Sequence, residues 1–206
     1  MSEPTISTKE NLKAAFAELR QTNPLLAITD RDINGISHKV FENAPKTMRD
    51  LFGIIELLHG DFPFIAENSK ELSFAETMQK AKNLANYLSE QGIKPGDMVG
   101  ICMQNCTEWI VIYLAIAAHG ATAVPFNSWW KTEELLYGIE HSEVKLVFVD
   151  DKRYELIKDT SVNKILLNKV DGHVTYQETI SKEVNDWPEL NAEDEDISVL
   201  LYTSGS

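Results

Sequence analysis

Leu51, Ile54, Ile55 and Leu58 repeat every three to four positions, the spacing of one helical face, and predict a helix over residues 48–58. A stronger signal follows. Ser73 and Glu76 make an S-x-x-E capping box, in which hydroxyl and carboxylate satisfy free backbone N–H groups at a helix start. Phe74, Met78, Ala81, Leu84, Ala85 and Leu88 then form an apolar stripe that reads as core, and Gly92 supplies the stop. Upstream, residues 8–20 read as a polar amphipathic helix. Residues 23–45 read as irregular, with turn formers at Asn34-Gly35 and Asn43-Ala44-Pro45. Residues 62–67 read as a strand. Beyond the turn Pro95-Gly96-Asp97 the pattern alternates, with strands over 98–103, 121–126, 145–149, 164–167 and 197–202. Between them lie a helix capped by Asn105 with Glu108 three residues on, a helix over 132–141 capped by Thr132, and helices over 152–158 and 176–183. Continuous apolar strands separated by helices predict an α/β fold, a doubly wound and mainly parallel sheet with helices on both faces and right-handed crossovers. A division into a leader, 1–46, and a domain, 47–206, is expected.

The run from Trp109 to Phe126 is long and apolar enough to suggest a membrane span, but His119-Gly120 splits it and Pro125 lies near its end. Helix, turn and strand is the better reading. The start, Met1-Ser2-Glu3-Pro4, has no basic segment followed by an apolar stretch, so no secretory signal is expected. With 43% apolar and 25% charged residues the chain is of ordinary globular composition, and its formal charge of −13 disfavours nucleic acid as a partner. Cys102 and Cys106 lack the second ligand pair of a structural zinc site and read as small apolar residues, one on a strand and one at the next helix start. A cytoplasmic, reducing location is expected, with peripheral membrane association as an alternative. The acidic run Glu193-Asp194-Glu195-Asp196 reads as a solvated linker rather than a metal site.

In an open parallel sheet, ligands bind beyond the carboxyl ends of the strands. Thr203-Ser204-Gly205-Ser206 follow such an end. Small hydroxyl residues around glycine let a loop turn its N–H groups inward as an anion cradle, with the hydroxyls as further donors. A plain turn is the alternative reading of these four residues, and no G-x-x-x-x-G-K-S/T loop occurs in the chain.

Leu200-Leu201-Tyr202-Thr203-Ser204-Gly205-Ser206 resembles the opening of the phosphate loop of the adenylate-forming (AMP-binding) superfamily, Y-T-S-G-S/T-T-G-x-P-K-G. Three further stretches are similar to that family in order and spacing: Leu72-Ser73-Phe74-Ala75-Glu76; Gly92-Ile93-Lys94-Pro95-Gly96-Asp97 with Val99, Asn105 and Glu108-Trp109; and Ala115 to Asn127, holding Gly120-Ala121 and Val124-Pro125-Phe126-Asn127. Trp129-Trp130, Glu133-Glu134-Leu135 and Tyr137-Gly138 resemble its acyl-CoA synthetase, or fatty-acid–CoA ligase, branch. So does the leader, with Ile33-Asn34-Gly35, Phe41 and Asn43-Ala44-Pro45. The resemblance covers about residues 33 to 206.

It implies an acid–thiol ligase that joins a carboxylic acid to ATP as an acyl-adenylate and then transfers the acyl group to coenzyme A, with Mg2+ as a further cofactor. The ATP-phosphate role passes to Thr203, Ser204, Gly205 and Ser206. No catalytic or metal-binding residue is carried over, because the rest of the family's loop and its catalytic lysine have no counterpart here. The chain is therefore expected to be an N-terminal fragment, inactive alone, with a separately encoded remainder as one partner. A non-catalytic binding protein retaining part of the fold is the alternative. Trp129 and Trp130 either line an acyl or CoA channel or anchor a loop on the core. His119 reads as a helix-end residue rather than a base, Lys131 as solvated rather than a CoA contact, and His38, His59, His141 and His173 show no ligand spacing.

Overall fold

The computed structural model describes residues 9–189, 191–193 and 195–203. Two compact units are present, Met1–Pro45 and Lys46–Ser206. The first holds helix α1 (Lys9–Thr22) and an antiparallel hairpin, β1 (Ile28–Ile33) with β2 (Ile36–Phe41). This hairpin replaces the irregular leader expected from the sequence. Asn34 and Gly35 both take positive φ, 54° and 82°, so they form the two-residue turn whose twist matches paired strands.

The second unit begins with α2 (Met48–His59), opened by a reciprocal cap between Thr47 and Asp50. Its buried face is centred on Phe52 rather than on the expected stripe, and Ile54, Leu57 and Leu58 are exposed. A second hairpin, β3 (Pro63–Glu67) with β4 (Lys70–Ser73), leads directly into α3 (Phe74–Glu90). The predicted capping box is present: Ser73 Oγ accepts from Glu76 N at 3.1 Å and Glu76 accepts from Ser73 N at 2.8 Å. At the other end Gly92, at φ 78°, donates to the Ser89 carbonyl while Ile93 N reaches back to Leu88, a left-handed stop that glycine takes without strain.

From here the chain alternates: β5 (Met98–Cys102), α4 (Thr107–His119), β6 (Thr122–Pro125), α5 (Thr132–Ser142), β7 (Leu146–Val149), α6 (Asp151–Ile157), β8 (Asn163–Leu166), β9 (Val174–Thr175) and α7 (Tyr176–Thr179). The five strands form one parallel sheet in the order β6-β5-β7-β8-β9. Both of its faces are covered. Val99, Ile101, Leu146, Phe148 and Ile165 pack under α2, α3 and α4, and Cys102, Val124, Val147, Val149 and Leu166 pack under α5 and α6. Cover on both faces is why the strands read as unbroken apolar runs. The apolar stretch from Trp109 is helix, turn and strand, and no helix among the described residues is long and apolar enough to cross a membrane.

Several ends differ from expectation. The N-cap of α4 is Cys106, not Asn105, and it caps with no side-chain bond. Glu67 of β3 supplies the acceptor instead, bonded by Thr107 N at 3.2 Å and Thr107 Oγ1 at 2.7 Å, bonds that hold its carboxyl below the usual carboxylate range. The N-cap of α5 is Lys131, whose backbone N–H donates to Glu134 at 2.9 Å. Helix α7 stops at Thr179. Beyond it, Asn83 takes the Ile180 carbonyl and Gln79 the Val184 carbonyl, so side chains of α3 hold that segment out of helix.

His119 does not serve the end of its own helix. It is buried, and its Nε2 lies 2.8 Å from the Ile93 carbonyl, which can only accept, so the proton is on Nε2. Nδ1 is left without a partner among the described residues, as is Arg49 Nη2. Burial, with a smaller contribution from the Arg49 cation, lowers the pKa of His119. The folded state thus stays neutral where the unfolded chain takes up a proton. Stability is retained above the unfolded value, about 6.5, and falls as pH drops below it, by at most about 1.4 kcal/mol per pH unit. Urea midpoints between pH 7.5 and 5.5 are expected to fall less steeply in His119→Gln than in the parent; equal slopes would remove His119 as the cause.

Candidate functional site at the carboxyl rim of the sheet

Chain order and strand order reverse between β5 and β7, because the chain passes outward from β5 to β6 and then returns across β5 to β7. Such a reversal leaves a crevice beyond the carboxyl ends. Here it is occupied by the protein itself. Asp150, directly after β7, caps α6 by accepting Arg153 N at 2.9 Å and pairs with Arg153 Nη1 at 2.8 Å. Its second oxygen also accepts the N–H of Gln104, the second residue beyond β5, at 2.9 Å. Arg153 Nε and Nη2 both donate to the Ser128 carbonyl beyond β6, at 3.1 and 2.7 Å.

The open face lies beyond β6. Residues 197–200 run parallel to it: Leu200 N donates to the Ala123 carbonyl at 2.9 Å, Ala123 N to the Ser198 carbonyl at 3.0 Å, and Thr122 Oγ1 to the Ile197 carbonyl at 2.7 Å. The strand expected over 197–202 is thus reduced to a parallel bridge at Val199, but its direction and place are those of a further parallel strand. Tyr202 and Thr203 emerge at its carboxyl end.

Tyr202 is seated on an aromatic base. Its ring stacks on Phe126 with centroids 6.3 Å apart and meets the edge of Trp130 at 5.4 Å, while its hydroxyl lies 2.8 Å from His141 Nδ1 and donates to the Gly138 carbonyl at 3.3 Å. Two glycines make room for the base. A Cβ on Gly100 would stand 2.8 Å from the Phe126 ring, and one on Gly138 would stand 2.9 Å from Trp130 and 3.0 Å from Phe126. Phe126 is therefore a wedge between β5 and α5. Trp130 anchors the loop after β6, one of its two expected roles, but its neighbour Trp129 is 87% exposed and anchors nothing.

Of the four residues expected to hold phosphate, Thr203 is exposed just past the carboxyl end of the Val199 segment, and Ser204, Gly205 and Ser206 lie outside the described residues. An exposed hydroxyl and a chain leaving a parallel sheet at its carboxyl rim suit an anion such as a nucleotide phosphate. No group of three or more His, Cys, Asp or Glu able to hold a metal occurs among the described residues, and no side chain here is assigned to Mg2+. Cys102 and Cys106 are free, and burial pushes their thiols up to about 12 and about 11, so neither is a thiolate nucleophile at neutral pH. The supporting residues Asp150, Arg153, Phe126 and His141 do not stand out as site residues in the sequence. Only Asp150, three residues before Arg153 and directly after an apolar strand, carries a local signal, that of a helix N-cap.

A family model described as "AMP-binding enzyme" matches residues 58–206. A linear gramicidin synthase of Brevibacillus parabrevis is 29% identical over 147 residues, which is 71% of this chain and 3% of that protein. The 3-oxocholest-4-en-26-oate–CoA ligase of Rhodococcus rhodochrous is 27% identical over 158 residues, 69% of this chain and 28% of that protein. Among solved structures, an anthranilate CoA ligase in complex with anthranoyl-AMP shares the fold with a TM-score of 0.73 at 20% identity, over 79% of this chain and 33% of the other. The chain thus spans 33% or less of each of these proteins.

Proposed function

Because the chain belongs to the AMP-binding enzyme family and forms the N-terminal part of its adenylate-forming domain, we propose that it serves an ATP-dependent acid–thiol ligase. In the first step a carboxylate oxygen attacks the α-phosphorus of ATP, the bond to pyrophosphate breaks, and an acyl-adenylate forms. In the second a thiolate, that of coenzyme A in this reading, attacks the acyl carbon and AMP leaves. The first step brings two anions together, so donors placed around the departing pyrophosphate lower its barrier. Thr203, Ser204, Gly205 and Ser206 would supply such donors from hydroxyls and backbone N–H groups. Mg2+, when bound with ATP, would add further charge neutralisation.

The observation that carries this reading is the parallel pairing of the Val199 segment on β6, which delivers Thr203 to the carboxyl rim. A fatty acid is the proposed substrate class, supported by the resemblance of residues 127–138 to fatty-acid–CoA ligases; the 3-oxocholest-4-en-26-oate–CoA ligase relative supports only coenzyme A as the thiol. A second reading, activation of an amino acid, is favoured by the gramicidin synthase relative at similar identity. Carboxylate-dependent exchange of labelled pyrophosphate into ATP separates them. The product of the complete reading frame is expected to exchange with fatty acids and not with amino acids, and the 206-residue chain alone with neither, since it corresponds to 33% of a ligase of the same fold. Exchange with amino acids alone would move the substrate to the second reading. No exchange with any carboxylate would leave a non-catalytic binding protein.

A further inference from the structure

Arg153 and Asp150 touch nothing in the chemistry just proposed, yet one ion pair ties together the carboxyl ends of three neighbouring strands. Asp150 reaches Gln104 beyond β5, Arg153 reaches Ser128 beyond β6, and the two stand, respectively, directly after β7 and in the first turn of the α6 helix that follows it. Both side chains are almost wholly buried, 10% and 13% exposed. A helix start needs only the aspartate as its cap, so the buried guanidinium is not explained by capping. Burying it is tolerable because five hydrogen bonds satisfy the pair, and two of those converge on the single carbonyl of Ser128.

What rests on Ser128 gives that grip its consequence. The same loop carries Phe126 and Trp130, the rings on which Tyr202 sits, and Tyr202 precedes Thr203. The carboxylate–Gln104 bond closes the crevice between β5 and β7 where a parallel sheet of this strand order ordinarily takes its ligand. The pair thus fills the usual site and braces the displaced one beyond β6. We propose that Arg153 is a positioning residue: by gripping the Ser128 carbonyl it fixes residues 126–131 as the bearing for Tyr202, and so sets where the phosphate-binding loop leaves the sheet. Only the nucleotide arm of the test below rests on the function proposed above.

Arg153→Lys keeps a cation beside Asp150 but replaces the planar fork by a single ammonium, which cannot hold Asp150 and Ser128 in the same geometry. In hydrogen-exchange mass spectrometry of the 206-residue chain, this variant is expected to accelerate exchange roughly fivefold in peptides covering 126–131 and 199–203, with 163–166 unchanged. Arg153→Gln, without the cation, is expected to show the same pattern more strongly. Ile165→Val, a core truncation on β8, is the control for general destabilisation and is expected to leave 126–131 and 199–203 at parent rates. Acceleration confined to 150–157, or spread evenly over the sheet, would overturn the proposal. So would the same pattern in Ile165→Val. In the product of the complete reading frame, Arg153→Lys is expected to raise KM for ATP about tenfold while kcat and the carboxylate KM stay within about twofold; an unchanged ATP KM overturns it. Absence of exchange activity in the parent would sink the ligase reading while leaving the hydrogen-exchange result to decide the positioning role.

Discussion

Truncating Phe126 to alanine is expected to lower the unfolding free energy by about 3–5 kcal/mol, the cost of deleting a buried aromatic ring whose site cannot collapse. Collapse is blocked because its neighbours are already at their limit. Gly100 and Gly138 present bare backbone to the ring, and the β5–β7 pairing and the α5 helix hold those backbones apart. The converse change also destabilises. Gly138→Ala places a methyl 2.9 Å from Trp130 and 3.0 Å from Phe126, and overpacking of this kind costs about 1–3 kcal/mol. The two effects share one cause, so Gly138→Ala combined with Phe126→Leu is expected to cost less than the sum of its parts, by at least about 0.5 kcal/mol. Urea unfolding of the four chains measures this cycle directly. A loss below about 1 kcal/mol for Phe126→Ala would show that the ring is not a wedge and that Tyr202 has no fixed base.

The elements legible in the chain are those set by local chemistry. The Ser73–Glu76 box, the stripe from Phe74 to Leu88 and the Gly92 stop define α3 from neighbouring residues alone; box and stop are present as expected, and the stripe is buried from Met78 to Leu88, whereas Phe74 is only half-buried and stacks on Phe64. The parallel sheet is legible for a related reason. Strands buried on both faces show no alternation, so Met98–Cys102 and Leu146–Val149 are unbroken apolar runs separated by helices.

What is not legible depends on partners distant in sequence. The hairpin of Ile28–Ile33 with Ile36–Phe41 carries Thr29, Asp30, Arg31 and Asp32 in its first strand, a polar run without strand periodicity, and only Asn34-Gly35 marks it. The start of α4 lies one residue beyond its expected place because its cap comes from Glu67, 40 positions earlier. The site shows the same division. Thr203 can be marked from its neighbours in sequence, whereas the base beneath Tyr202 joins Phe126, Trp130, Gly138 and His141, all brought to it from far back along the chain. No local pattern encodes such a base.

Asp150→Ala is the second large effect. It leaves the Arg153 guanidinium buried opposite an alanine and removes both the cap of α6 and the acceptor for Gln104 N–H. Breaking a buried pair on one side costs about 3–5 kcal/mol, far more than an exposed pair would, because a charge remains unsolvated and unpaired. Removing both charges is a different matter. Asp150→Ala with Arg153→Met deletes the desolvation cost together with the attraction, and most of the lost stability is expected to return, leaving about 1 kcal/mol for the missing cap. If the pair existed only to stabilise the fold, the double variant would then behave like the parent throughout. If Arg153 holds Ser128 in place, the double variant recovers its urea midpoint while residues 126–131 and 199–203 keep exchanging fast. Recovery of both together would reduce the pair to a buried structural contact; recovery of stability without protection assigns it to the geometry of the rim.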